Sequence, residues 1–204
     1  LFAARVVGMK GGLPADAAAL DVSRACASGL QAIISAGQQV ATGQSQLAIA
    51  AGAEMFSRAP FAVTTSRWGN ARGHQQLEDM LEWYDRSPMD EYAVQSQARA
   101  LAAIESGFLA RQIHPVLVPE GKSSRTFCID ESPRAGITVE RLARLAPAFQ
   151  ADGKVTAGNA SGVTDGAAAI PVGSKESLMS AGIKPIARIV DWAVVGVEPS
   201  LMGH

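Results

Sequence analysis

The 204-residue chain has only two cysteines, Cys26 and Cys128. Two cysteines do not make a disulfide framework, so a stapled secreted scaffold is excluded. A single bridge between them stays open, and a reducing compartment is the expected setting. Charge of one sign is lacking too. Eighteen Lys and Arg against nineteen Asp and Glu leave a net charge of -1, with no basic footprint for nucleic acid. The three histidines, His74, His114 and His204, are scattered, and no Cys/His spacing suits a zinc ion. No run is apolar enough for a membrane span: residues 30–55 are interrupted by Gln31, Gln38, Gln39, Gln44 and Gln46. There is no tandem repeat and no low-complexity stretch. The chain opens on Leu1, without a charged leader or cleavage site, and reads as a fragment entered in mid-helix. Any targeting segment would lie upstream. The expected location is cytoplasmic, with mitochondrion or peroxisome open for a eukaryote.

What is present is a small-residue α/β pattern. With 48% hydrophobic and 18% charged residues the chain is ordinary for one or two globular domains. Phe2, Val6 and Met9 read as the end of a helix that Gly11, Gly12 and Pro14 stop. A short strand is expected at residues 18–22. Residues 28–42 read as a helix, with Leu30, Ile33, Ile34, Gly37, Val40 and Ala41 at three- and four-residue steps and Gly43 as its C-cap. An apolar stretch, residues 46–54, reads as a buried strand, so strand, helix and strand predict a βαβ unit with parallel strands. From Ser57 to Gln150 the composition changes, and this stretch reads as a loop domain inserted into the α/β core. It should carry a helix over residues 89–106 with Met89, Tyr92, Ala93, Ala100 and Ile104 on one face. Strands are expected at 116–118 and 126–129, and a short helix at 138–145. Cys128 reads as a packed strand residue, and Glu78, Asp79 and Glu82 as a solvated helix face. Then "TAGNASGVTDGAAAIPV" predicts a glycine-rich loop feeding a strand over 166–172. Ser174 is a natural N-cap for a helix ending at Gly182. A last strand is expected at 186–197. Pro171 removes a ladder donor and should shorten the strand that holds it.

The stretch "DVSRACASGLQAI" places Cys26 where a strand ends and a helix begins. At the first turn of a helix, unpaired N–H groups carry partial positive charge. They stabilise a thiolate there and can bind the oxyanion formed when sulfur attacks a carbonyl. Ala25 and Ala27 leave room for a substrate, and Gly29 lets another segment pass close by. A lone cysteine beside a buried helix is more often a small core hydrophobe, so local physics leaves both readings open.

The words around it go further. "SRACASGLQAIISAGQQVATGQSQLAIAAGAEMFSRAPF" resembles the nucleophile segment of the thiolase family, N-R-x-C-x-S-G followed by helix, strand and G-x-E-x-M-S-x-A-P. Arg24, Cys26, Ser28, Gly29, Gly52, Glu54, Ser57, Ala59 and Pro60 match. "TAGNASGVTDGAAA" matches a second family signature, and "ARIVDWAVVGVEPSLMG" resembles the family's first C-terminal-domain strand. The resemblance implies an α/β thiolase fold: an N-terminal half with an inserted loop domain and an incomplete mixed sheet flanked by helices. On it, residues 1–56 and 151–173 belong to the N-terminal core, 57–150 to the loop domain, and 174–204 open a C-terminal domain. It implies acyl transfer between coenzyme A thioesters, either thiolytic cleavage of a 3-ketoacyl-CoA or Claisen condensation of acetyl-CoA. Cys26 would be the catalytic nucleophile, acylated in a ping-pong scheme, with its own N–H lining an oxyanion hole. Ser161, with Ala157 and Gly162, would line the pantetheine tunnel, and Arg134 would stack on the adenine. Alternatives beside these are a turn hydroxyl bonded to its own backbone for Ser161 and a solvated loop charge for Arg134. No metal and no cofactor other than the thioester substrate is implied. A homodimer or homotetramer is expected of the complete protein.

The chain also departs from the family. It stops at "LMGH", without the N-E-A-F, G-H-P and C-x-G-G blocks, so by itself it is expected to lack condensation activity; His204 is given no role. A segment with M-G-x-T-A-E-N, usual in the family, is missing between Pro88 and Met89. A β-ketoacyl synthase shares the fold but lacks the "TAGNASG" and "SRAPF" words. A truncated, non-catalytic protein that binds coenzyme A esters or a partner is the alternative of another class.

Overall fold

A computed structural model describes residues 3–55, 57, 86–148 and 151–196. They fall into two compact units, one drawn from Leu1–Phe61 and Thr164–Val195, the other from Ala62–Val163 and Gly196–His204.

In the first unit, helix α1 (Ala3–Lys10) is followed by α2 (Ser28–Ala41), strand β1 (Leu47–Glu54), strand β4 (Gly166–Gly173) and helix α5 (Lys175–Ser180). β1 and β4 pair antiparallel, from Leu47 opposite Gly173 to Glu54 opposite Gly166. α2 lies on both strands and α5 on β4. Ile34 and Ala36 of α2, Ala50 of β1 and Leu178 of α5 are the buried apolar residues here. At Gly173 an added Cβ would stand 3.0 Å from Leu47 Cδ1 and 3.3 Å from Leu178 Cγ. Glycine there lets β1, β4 and α5 close on each other. α2 ends as its sequence predicts: Gly43 has φ +73, and its N–H donates to the Val40 carbonyl at 3.1 Å. Ser174 caps α5, its Oγ accepting from the Ser177 N–H at 3.1 Å.

Several expectations fail in this unit. Residues 18–22 and 186–196 form no strand, and the β1 pairing is antiparallel rather than parallel. An apolar run states that a segment is to be covered, not which chain pairs with it. β1 buries only Ala50, because the described sheet has two strands. β4 runs unbroken through Pro171, opposite Ile49. In a two-stranded ribbon half of each strand's N–H groups face away from the partner, and a proline at such a place costs no ladder bond.

In the second unit, α3 (Arg86–Glu105) leads to strands β2 (Val116–Glu120) and β3 (Ser123–Phe127), then helix α4 (Val139–Leu142). β2 and β3 form a hairpin whose two-residue loop begins with Gly121 at φ +63, the left-handed value a first loop glycine supplies. Cys128 follows β3 and is exposed rather than packed, and both cysteines are free. Tyr92 is also exposed, and the one buried residue of α3 is Asp90. The helix face expected to hold Tyr92 inside is rotated so that a carboxylate enters instead. Leu142 and Val155 supply the buried apolar contacts. His74, Glu78, Asp79, Glu82 and His204 lie outside the described residues, and His114 is exposed. No described helix is long and apolar enough to cross a membrane.

Candidate active site

Cys26 lies in the first unit, on the turn that enters α2. The N-cap is Ala27, so the cysteine stands one residue before the cap and two before the helix rather than in its first turn. Its side chain is exposed. The turn is held by Ser28, whose Oγ accepts from the Arg24 N–H at 2.7 Å and donates to the Ala25 carbonyl at 2.7 Å. The Ala27 N–H donates to the Arg24 carbonyl at 2.9 Å, and the Ser28 N–H to the Ala25 carbonyl at 3.1 Å. Arg24 Nε donates to Gln31 Oε1 at 2.9 Å, and Gln31 Nε2 to Ser35 Oγ at 3.0 Å, tying the segment before the cysteine to the helix side. Among the described residues the N–H groups of Cys26, Gly29 and Leu30 meet no acceptor. The thiol therefore sits beside the open amide end of a 14-residue helix, where negative charge is favoured. Arg24 and Ser28, matched as family letters, act here as the fasteners of the turn. A Cβ added at Gly29 would meet nothing within 4 Å; β1 passes it at Gly52, whose added Cβ would stand 3.8 Å from the Gly29 Cα, an ordinary contact.

Ala25, just before the cysteine, has φ +43 and is the only non-glycine with positive φ among the described residues. That region is sterically costly for a residue with a Cβ. The fastened turn over-determines it, and the result is an outward-facing thiol. Ala25→Val is expected to lower the unfolding free energy by about 1–2 kcal/mol, while Ala25→Gly loses nothing; urea denaturation of the two variants checks this. Equal stabilities for valine and glycine would show the turn to be unstrained.

At the far ends of β1 and β4, Ser57 donates both its N–H, at 2.9 Å, and its hydroxyl to the Asp165 carboxylate. The two residues are 108 positions apart and border an open pocket lined also by Ala53, Glu54, Met55, Gly166 and Ala167. Nothing in the sequence pairs them. Their only signal was membership of two separate family words.

The second unit holds Arg134, Ala157, Ser161 and Gly162, all exposed. The loop at 154–160 is built around Asn159. Its Oδ1 accepts from the Thr156 N–H at 2.7 Å, and its Nδ2 donates to the Lys154 carbonyl at 3.0 Å and to Asp90 Oδ1 at 2.9 Å. Asp90 is 1% exposed. Its other oxygen lies 3.4 Å from Arg86 Nε, close enough for charge attraction but without a hydrogen bond at that nitrogen. Arg86 Nη2 donates to the carbonyls of Leu142 and Leu145, both at 2.7 Å. Under the loop, a Cβ at Gly158 would stand 2.4 Å from Leu142 Cδ2 and 2.7 Å from Leu145 Cδ1, so a larger residue would require these leucine side chains to shift. Ser161 makes no hydrogen bond among the described residues. Its hydroxyl is therefore not spent on its own turn. The Arg134 N–H donates to Gln97 Oε1 at 2.8 Å, while its guanidinium has no partner among the described residues. Asp90, Gln97 and Asn159 carry no sequence signal of this role: the face predicted for the helix over 89–106 is apolar and leaves Asp90 and Gln97 off it, and Asn159 is one letter of a family word.

The family model "Thiolase, N-terminal domain" matches residues 2–85 and 82–176. The beta-ketothiolase BktB of Cupriavidus necator is 38% identical across the whole chain, and the mitochondrial 3-ketoacyl-CoA thiolase of Bos taurus 35%. The chain spans 58% and 57% of the lengths of these relatives. Among solved structures, the Bacillus anthracis acetyl-CoA acetyltransferase superposes with a TM-score of 0.86 at 38% identity, over 98% of this chain and 57% of that one. The human mitochondrial 3-ketoacyl-CoA thiolase gives 0.85 at 35%, with the same coverage.

Proposed function

Because the chain belongs to the thiolase family, through that family's N-terminal domain, and has its α/β fold, we propose that the complete protein transfers acyl groups between coenzyme A thioesters through an acyl-cysteine on Cys26. The observation that carries this is the exposed thiol on a fastened, strained turn beside open amides. The Cys26 sulfur attacks the thioester carbonyl carbon, and a new carbon–sulfur bond forms. The carbonyl oxygen takes the negative charge, which the unpaired amides stabilise. When the intermediate collapses, the bond to the coenzyme A sulfur breaks and that sulfur leaves as the thiol, carrying the proton that Cys26 gave up. Passing the acyl group back to coenzyme A is the thiolytic direction, and passing it to an acetyl-CoA carbanion is condensation. The Ser161 hydroxyl would meet a pantetheine amide, beside Ala157 and Gly162; that it has no partner among the described residues supports this. The Arg134 guanidinium, likewise without a partner among the described residues, would serve as a platform for adenine. On the same likeness the complete protein is a homodimer or homotetramer of a reducing compartment, which suits its free, exposed thiols.

The test is to incubate the 204-residue chain with acetyl-CoA and measure intact mass, then map the modified peptide. A gain of one acetyl group on Cys26 is expected. No adduct, with coenzyme A bound, would instead favour a non-catalytic binder of coenzyme A esters.

A further inference from the structure

The inward face of α3 is polar at three places. At 3.6 residues per turn, Arg86, Asp90 and Gln97 fall within about 40° of one another around the helix. All three are at least partly buried, and each spends its polar atoms on a different piece of backbone or loop. Arg86 holds the carbonyls of Leu142 and Leu145 at the end of α4. Asp90 holds the Asn159 amide, and through it the loop that leads to Ser161. Gln97, seven residues on, holds the N–H of Arg134. A solvated helix has no reason to direct a buried carboxylate and a carboxamide at two loops that lie 25 positions apart in the chain.

We propose that this face of α3 is the ruler that sets the spacing between the two segments that take opposite ends of coenzyme A, with Gln97 a positioning residue for the adenine end and Asp90 for the pantetheine end. The proposal rests on the acyl-transfer reading above. The two anchor points are about 10 Å apart along the helix axis, at 1.5 Å per residue. Arg134 is pinned by its backbone and, among the described residues, free at its guanidinium, the arrangement needed to present a flat cation to a ring without the side chain already being engaged. Asn159 is likewise saturated by its three partners, so the loop beyond it is aimed rather than free to swing.

Gln97→Ala keeps a strong helix former in α3 and removes only the acceptor, whereas Gln97→Glu keeps an oxygen in its place. Two quantities are read on the full chain: amide hydrogen exchange at Arg134, and the Kd for coenzyme A by calorimetry. In Gln97→Ala the Arg134 amide is expected to exchange at least about tenfold faster, and coenzyme A to bind about five- to tenfold more weakly, the scale of one lost hydrogen bond. Gln97→Glu is expected to restore both, with the thermal midpoint unchanged throughout. An Arg134 amide as protected in Gln97→Ala as in the parent, or unaltered binding despite the lost protection, overturns the proposal. If no form of the chain binds coenzyme A, the acyl-transfer reading falls separately, and the exchange data alone decide whether α3 fixes the Arg134 segment.

Discussion

Cys26→Ala is expected to abolish the acyl-enzyme and to lower acyl transfer by the complete protein on the order of 10⁶-fold, the loss typical when a covalent nucleophile is deleted. Cys128→Ala is expected to leave both untouched. The two thiols are equally free and both exposed, so exposure cannot separate them. Position does. Cys26 precedes a 14-residue helix whose first amides are open, while Cys128 merely follows the hairpin strand β3. A thiolate and a tetrahedral oxyanion both carry negative charge, and the open amide end of a long helix beside Cys26 favours both. Cys26→Ser keeps the geometry but gives a much weaker nucleophile at neutral pH, and should sit close to alanine in rate. Intact-mass spectrometry with acetyl-CoA distinguishes the cases. An adduct that survives in Cys26→Ala and disappears in Cys128→Ala would move the chemistry to the hairpin and end the present account.

The largest effect on stability is expected at Asp90. Removing its carboxylate leaves the Arg86 charge facing an empty site and deprives Asn159 of one of its three partners. Breaking a buried pair from one side costs about 3–5 kcal/mol. Here about 3 kcal/mol is expected for Asp90→Ala, at the low end, since 26% of the Arg86 side chain remains in water. Against a typical total of about 5–15 kcal/mol that is a large fraction. Asp90→Asn retains an oxygen for the Asn159 amide and should cost about 1–2 kcal/mol. Because Asp90 and Asn159 act through one bond, the double replacement by alanine should cost less than the two single losses together. Equilibrium urea denaturation measures all of these. An Asp90→Ala chain as stable as its parent would mean that the network is ornamental.

The sequence spoke most clearly where one local rule decided the outcome. The three- and four-step apolar period gave α2, a glycine with positive φ closed it at Gly43, and a serine hydroxyl opened α5 at Ser174. It misled where the outcome depends on a distant partner. Residues 18–22 and 186–196 have strand-like composition, yet pairing is a property of two segments, and no described strand lies beside them. The same holds for the site. Local pattern left Cys26 open between nucleophile and core hydrophobe, and it was the family words around it that singled it out; it stands two residues before the helix rather than in its first turn. The Ser57–Asp165 clasp and the Asp90–Asn159 bond join residues 108 and 69 positions apart. Nothing local marks Asp90 as buried: between Met89 and Glu91 it looks like one more surface charge.

Pro88 sits in the first turn of α3, two residues before Asp90. A proline there forfeits nothing, since amides at a helix start have no carbonyl of their own helix to bond. The two matched pieces of the family model, residues 2–85 and 82–176, overlap just ahead of it. Residues added before Arg86 would enter upstream of every contact the helix makes and leave the alignment of the loops farther along as it is, like cloth let out at a hem.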